Sequence, residues 1–337
     1  MKAVAFKSPG PIDRPDSLED ITLEKPVAEG RDLLVKIHAV SINPVDTKVR
    51  SRPTADENAW KVLGYDACGT VEAVGPEVRN FQPGDEVYYA GSIDRPGTNS
   101  EFHLVDERIV ARKPASLSHP QAAALPLTAI TAWEMLFDRL EVTRPTAAGG
   151  HTILIIGGAG GVGSITIQLL RALTDLTVIA TASRPETEEW VRACGAHHVI
   201  NHRKPLAAQV EALDVGAPGF VFSTTQTDQH LAEVVELIAP QGRFGLIDDP
   251  AELNIMPFKR KAVSIHWELM FTRPLFGTPD LAEQGKLLQR VAELVDAGKV
   301  RTTLTEVAGK IDAATLRRAH ARIESGTAHG KIVLEGF

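Results

Sequence analysis

The sequence predicts a two-domain α/β protein: a β-rich amino-terminal lobe and a doubly wound parallel sheet. Three observations carry this. The chain has 337 residues, about twice the usual length of one domain. Its first hundred residues alternate short β-like runs with Pro, Gly, Asn and Asp turn signals. From about Pro126, strand and helix patterns alternate, with a glycine-rich turn at their first junction.

In the first lobe, Leu33 to Val40 and Gly69 to Val74 are the clearest strands. The parallel sheet starts with an apolar run at 153–156, a helical pattern at 162–173, a second apolar run at 176–181 and a helix from Glu186. His198 to Ile200, Phe220 to Ser223 and Arg243 to Ile247 continue the strands, with Asp228 to Ile238 helical between the last two. At least five parallel strands follow. Asp280 to Ala297 repeats Leu281, Leu287, Leu288, Val291, Leu294 and Val295 at helical spacing, Ala313 to Glu324 forms a second helix, and Lys331 to Leu334 is a closing strand. Thr143 to Gly150 reads as the loop entering the first parallel strand.

The composition excludes several function classes. A formal charge of -7 with scattered Lys and Arg offers no footprint for nucleic acid. Two cysteines, Cys68 and Cys194, are too few for a disulfide framework or a four-thiolate zinc site, which fits a reducing compartment. The start, MKAVAFKSPG, lacks a long apolar segment and no run of 18 apolar residues follows, so a cytoplasmic protein without a membrane span is expected.

Gly158, Gly160 and Gly163 form a G-x-G-x-x-G array between the strand at 153–156 and the helix that follows. In this context Gly158, Ala159, Gly160, Gly161, Val162 and Gly163 are expected to cradle a dinucleotide pyrophosphate, with backbone N–H groups and the helix dipole facing its charge. An NAD site usually carries Asp or Glu about 20 residues further on. Here Ser183 and Arg184 stand there, a hydroxyl and a fixed cation suited to a 2′-phosphate, so NADPH is the expected cofactor. The plainer alternative makes Arg184 a solvated loop residue and Ser183 the cap of the next helix. His202, after the following strand, is a further candidate beside the phosphate.

Gly64-Tyr-Asp-Ala-Cys-Gly69, continuing to Gly75 and Val78, looks like the G-H-E-x-x-G-x5-G-x2-V signature of zinc alcohol dehydrogenases, with Tyr65 in place of the metal-binding His. Gly150-His-Thr-Ile-Leu154 with the glycine turn, Gln168 and Arg171 is similar to a quinone oxidoreductase signature. Ser41-Ile-Asn-Pro-Val-Asp-Thr47 resembles the same group, with Asn43 where zinc enzymes have a Cys ligand, and so does the ending Thr327 to Leu334. Together these motifs resemble the medium-chain dehydrogenase/reductase superfamily, in its zinc-free quinone oxidoreductase (zeta-crystallin-like) branch.

The resemblance implies a GroES-like catalytic domain at 1–126 and 275–337 and a Rossmann NADPH-binding domain at 127–274. It places Ser223, Leu246, Ile247 and Lys331 with the cofactor residues and Thr128 beside the nicotinamide. With Asn43 and Tyr65 in two ligand positions and no Cys near Leu125 to Thr128, no metal is expected. Hydride delivery to quinones or conjugated carbonyls is the implied reaction, because the negative charge spreads as it forms. Asn43 and Tyr65 are the expected donors to the acceptor oxygen, with Asp46 and Thr128 nearby, although Asn43 and Asp46 beside Pro44 also suit an ordinary turn and Tyr65 can simply pack. The loops Arg50 to Asn58 and Ile93 to Thr98, which shape the substrate space, carry no legible code.

The competing readings are an enoyl or enal reductase for aliphatic substrates and, from another class, a non-catalytic NADPH-binding sensor or structural protein. Ile265-His-Trp-Glu-Leu-Met-Phe271 resembles the strand through which family members form homodimers, and Thr272 to Pro279 is expected to wall the substrate space. Cys68, Cys194 and His197-His198 lack a nucleophile or metal-ligand arrangement and are read as structural.

Overall fold

The computed structural model describes residues 1–52, 59–146 and 150–337. Residues 53–58 of the Arg50 to Asn58 loop and 147–149 of the Thr143 to Gly150 loop lie outside that range. Contacts divide the chain into two compact units, Met1–Ile130 with Phe271–Phe337, and Thr131–Met270. In chain order the strands of the first are β1 (Lys2–Phe6), β2 (Glu19–Thr22), β3 (Asp32–Ser41), β4 (Lys61–Val62), β5 (Ala67–Val74), β6 (Glu86–Tyr89), β7 (Phe102–Asp106) and β8 (Ala111–Arg112). The second unit supplies β9 (Thr152–Ile156), β10 (Thr177–Thr181), β11 (His198–Ile200), β12 (Phe220–Ser223), β13 (Arg243–Leu246) and β14 (Ser264–Trp267). The chain then returns to the first unit for β15 (Leu304–Gly309) and β16 (Lys331–Glu335).

In the first unit β2, β1 and β4 make a small antiparallel sheet. The larger sheet runs β15-β16-β3-β5-β6-β8, with β7 also on β3. Strand β3 is its hub: Leu33, Leu34, Val35, Ile37, Ala39 and Val40 are buried, so both faces are covered. Its carboxyl end pairs with β16, Ser41 opposite Val333, which ties the last strand of the chain to the early part of the first unit.

The second unit is a six-stranded parallel sheet in the order β11-β10-β9-β12-β13-β14. All five residues of β9 are buried, as expected of a central strand with helices on both faces. The chain runs outward from β9 to β11 and then returns to β12 on the other side of β9. That reversal makes the carboxyl ends of β9 and β12 the place where an open α/β sheet binds ligands. Leu154, Ile156, Ile179, Val221, Phe244 and Leu246 form the core beneath it.

Three local readings change. Asn43 to Asp46 is the start of a helix, Pro44–Ser51, rather than a simple turn. The helix Pro185–Ala193 is capped at Arg184, whose N–H donates to Thr187 Oγ1 at 3.2 Å, so Ser183 is not the cap. The aromatic run is strand only to Trp267; Met270 and Phe271 turn inward and are buried. Thr272–Phe276 is a short helix.

Candidate active site

Asn43-Pro-Val-Asp46 is a capping sequence: Asn43 is the N-cap, Pro44 fills the first helical position where no N–H is needed, and Asp46 sits at the third. The Asn43 N–H donates to Asp46 Oδ2 at 2.8 Å, and the Gly64 N–H donates to Asp46 Oδ1 at 3.0 Å. Two residues after Gly64, the Asp66 carboxylate receives the Leu127 N–H (2.7 Å), Asn43 Nδ2 (2.8 Å) and Lys331 Nζ (3.1 Å). Lys331 also donates to the Ile42 carbonyl at 2.8 Å and to Asn43 Oδ1. Tyr65 is therefore bracketed by two anchored neighbours, Gly64 tied to Asp46 and Asp66 tied to Lys331.

Burial dominates the electrostatics of this cluster. It pushes the Asp46 carboxyl up to about 7, against the two N–H donors and Lys331. Burial also raises Asp66 and lowers Lys331, while the opposite charge of each partner works against both shifts. The Tyr65 hydroxyl is raised by burial and then by the Asp46 charge, so it stays a protonated phenol. That hydroxyl is buried and has no hydrogen-bond partner among the described residues. Its ring packs edge-on against Phe271, centroids 5.3 Å apart.

The expected donor pair is thus divided. Asn43 Nδ2 already donates to Asp66 and, at 3.4 Å, to the Ser41 carbonyl, while its Oδ1 accepts from Lys331. Both amide donors are in use, and Asn43 is a structural member of the cluster rather than a free donor. Thr128 Oγ1 donates to the Leu125 carbonyl at 3.0 Å. Lys331, grouped by resemblance with the cofactor residues, has three acceptors within the first unit. Asp66 was not singled out from the sequence; its place inside the Gly64 to Gly69 motif is the signal that was present.

These residues do not fit a catalytic zinc. Among the described residues no group of three or more His, Cys, Asp or Glu comes together to hold a metal ion. Asn43 and Tyr65 present an amide and a protonated phenol instead, and burial pushes the Cys68 thiol well above its ordinary range. Cys194 is buried as well, and His197 Nδ1 accepts the Val178 N–H at 2.9 Å, a structural role.

In the second unit the glycine turn is built for close approach. Gly157 adopts φ +85°, which glycine alone reaches without strain, and its N–H donates to Thr181 Oγ1 at 3.0 Å. A Cβ on Gly163 would lie 2.3 Å from the Gly157 carbonyl oxygen, so the helix can seat against the turn only with glycine there. Gly160 is the N-cap of the helix Gly161–Leu173, whose first-turn N–H groups at Gly161, Val162 and Gly163 have no acceptor within the helix. This cradle fits a pyrophosphate.

The ends of neighbouring strands are tied across the turn. Thr224 donates through both its N–H and its hydroxyl to the Ile156 carbonyl, at 3.1 and 2.9 Å. Ser223 Oγ receives Thr227 Oγ1 at 2.8 Å, and Asp248 caps the helix Thr227–Leu237 by accepting the Thr227 N–H at 2.9 Å. The Leu246 side chain is fully buried and Ile247 is half-buried. Thr181 and Thr227 had no sequence signal, because a lone hydroxyl at a strand end matches no motif, whereas Asp248 belongs to the Leu246 to Pro250 segment that the resemblance sets beside the nicotinamide.

Arg184 is partly exposed and pairs with Glu186 at 2.9 Å. His202 lies 6.4 Å from the His230 ring, and burial, then His230, Arg203 and Arg184, lowers it.

Comparison with known proteins places this geometry. The alcohol dehydrogenase GroES-like domain model matches residues 29–115, and the zinc-binding dehydrogenase model matches residues 194–334. A zinc-type alcohol dehydrogenase-like protein of Staphylococcus aureus (strain MSSA476) is 39% identical over 338 residues, covering 99% of each chain. Among solved structures, a Rhizobium etli CFN 42 protein provisionally described as a zinc-dependent alcohol dehydrogenase is 65% identical, with a TM-score of 0.98 over 100% of this chain and 98% of that one. A quinone oxidoreductase from Coxiella burnetii is 26% identical, with a TM-score of 0.81 over 100% of this chain and 99% of its own.

Proposed function

This chain belongs to the medium-chain dehydrogenase/reductase superfamily and is an oxidoreductase with an NAD(P)-binding domain, and from that premise we propose that it is an NADPH-dependent reductase of quinones or conjugated carbonyls. The observation that carries this reading is the buried, unpartnered and protonated Tyr65 hydroxyl. A buried O–H without an acceptor costs about 1–3 kcal/mol, so its position is explained when a ligand oxygen accepts from it. The likeness to a quinone oxidoreductase supports the same substrate class.

The reduced nicotinamide supplies the hydride when bound. Ala159, Gly161, Val162 and Gly163 offer backbone N–H groups to the pyrophosphate, whereas Gly158 and Gly160 already donate theirs to the Thr181 and Gly157 carbonyls and serve its close approach instead; Ser223, Leu246 and Ile247 stand at the carboxyl ends of β12 and β13 on the nicotinamide side. Ser183, Arg184 and His202 receive the 2′-phosphate; Arg184 offers a planar fork of donors and His202 adds a nearby ring N–H. Tyr65 donates to the acceptor oxygen as negative charge grows on it, an effect of the oxyanion-hole kind. The acceptor must carry that charge without a Lewis acid, which favours quinones and enones over isolated ketones. Asp46 and Thr128 line the same region of the first unit, and Asp46 bears on the phenol through its charge.

The test follows loss of reduced-nicotinamide absorbance with NADPH and NADH in turn, offering an ortho-quinone, an aliphatic enal and a saturated ketone, with EDTA-dialysed protein. Turnover with NADPH and the conjugated acceptors supports the proposal, and the better acceptor distinguishes quinone from enal reduction. Tight NADPH binding with no turnover on any acceptor would instead make the chain a binding protein, and activity lost on EDTA treatment would restore a metal mechanism.

A further inference from the structure

We infer that the buried Asp66–Lys331 ion pair is a positioning device for Tyr65, setting the direction in which its hydroxyl points at the substrate oxygen. The inference rests on the proposed role of Tyr65. Four separate segments meet at the Asp66 carboxylate: its own loop, the cap residue Asn43, the Leu127 N–H at the start of the helix Pro126–Trp133, and Lys331 at the head of β16. Asp66 is fully buried and Lys331 nearly so. The three acceptors of the Lys331 ammonium, the Ile42 carbonyl, Asn43 Oδ1 and Asp66 Oδ2, flank the strand end from which the helix Pro44–Ser51 departs. The Asp66 carbonyl is held too, by the Ser41 N–H at 3.4 Å and Thr98 Oγ1 at 3.2 Å.

On the other side of Tyr65, Gly64 has φ +110° and its N–H is fixed on Asp46, itself bonded to the Asn43 N–H. The peptide on each side of Tyr65 therefore answers to the same junction, and its ring rests on Phe271. A phenol with no partner of its own has no local hydrogen bond to define its direction. Its orientation comes from the backbone, and the backbone is held by the ion pair.

A cycle of variants tests this with a turnover assay, NADPH titration and fluorotyrosine NMR. The chain has only three tyrosines, Tyr65, Tyr88 and Tyr89, so each resonance is assignable, Tyr65 by its loss in Tyr65→Phe. Lys331→Met is expected to lower kcat about a hundredfold, the size expected of a misplacement on the order of 1 Å. It should leave NADPH affinity within about twofold, cause no further loss in the Tyr65→Phe background, and move the Tyr65 resonance while Tyr88 and Tyr89 stay. Asp66→Asn keeps the side chain's shape and the Leu127 bond, and carries the same comparison if Lys331→Met does not fold. An equal loss in both backgrounds, a stationary Tyr65 resonance, or weakened NADPH binding with kcat intact overturns the inference. The NMR arm needs no turnover, so an inactive wild-type protein would defeat the proposed function while the positioning is still read directly.

Discussion

Lys331 Nζ lies 3.1 Å from Asp66 Oδ2 across 265 residues of sequence, and both side chains are buried. Removing one partner of a buried ion pair strands the other charge and costs about 3–5 kcal/mol, whereas replacing both with well-packed apolar groups is often close to neutral. Lys331→Met is therefore expected to lower the urea midpoint strongly, and the Asp66→Leu, Lys331→Met double variant to recover a large part of that loss. A strictly additive double variant would show that the pair is not energetically coupled.

Gly160 and Gly163 separate two uses of glycine in one turn. A Cβ at Gly160 meets nothing closer than 3.6 Å, but at Gly163 it would lie 2.3 Å from a backbone oxygen. Gly163→Ala is expected to abolish measurable cofactor binding and to destabilise the second unit. Gly160→Ala should keep the fold and weaken binding only through crowding of the pyrophosphate. Calorimetric titration with NADPH distinguishes them; equal behaviour would refute the packing argument.

The cofactor preference is expected to rest on Arg184. Losing a charge-assisted bond to phosphate costs about 1.5–3 kcal/mol, so Arg184→Ala should raise Kd for NADPH roughly tenfold or more and leave Kd for NADH nearly unchanged. Equal losses for both cofactors would assign Arg184 to folding rather than to the 2′-phosphate.

Burial lowers His320 to about 3, with the Arg50 charge adding to the effect, and lowers His103 to about 4. A depressed folded value means that the unfolded chain takes up the proton first. The stability from these neutral rings is complete above the ordinary value of 6.5 and drains away as pH falls toward about 3. Asp46 acts oppositely: raised from 3.8 to about 7, it favours the fold at low pH and loses that contribution as pH rises through 7. The destabilisation caused by His320→Gln is expected to shrink between pH 7 and pH 4.5, and that caused by Asp46→Asn to grow, as read from urea midpoints. A pH-independent difference for His320→Gln would mean that the ring is not held neutral.

Strand β14 is the edge of its sheet, and its last residue, Trp267, and the following Leu269 are 54% and 53% exposed. An open edge flanked by large apolar side chains favours pairing with a second copy. Light scattering is expected to give twice the 36.4 kDa chain mass, and Trp267→Lys to shift it to the monomer. A wild-type monomer would remove the dimer.

The sequence by itself determined the repeating strands and helices of the second unit, because each is set by hydrophobic period and by glycine at a turn, which act over a few residues. The strands His198–Ile200 and Phe220–Ser223 lie where the pattern placed them, as does the helix Ala313–Glu324 of the first unit. The Asn43–Asp46 cap was equally local, yet it read as a turn because Asn-Pro serves both. Only the tertiary structure decided the chemistry around Tyr65. Whether Asn43 keeps a free donor depends on Asp66 and Lys331, 23 and 288 residues away, and whether the Tyr65 hydroxyl has a partner depends on every segment packed around it. Burial, which moves Asp46 to about 7 and holds the phenol protonated, is a property of the assembled fold that no motif encodes.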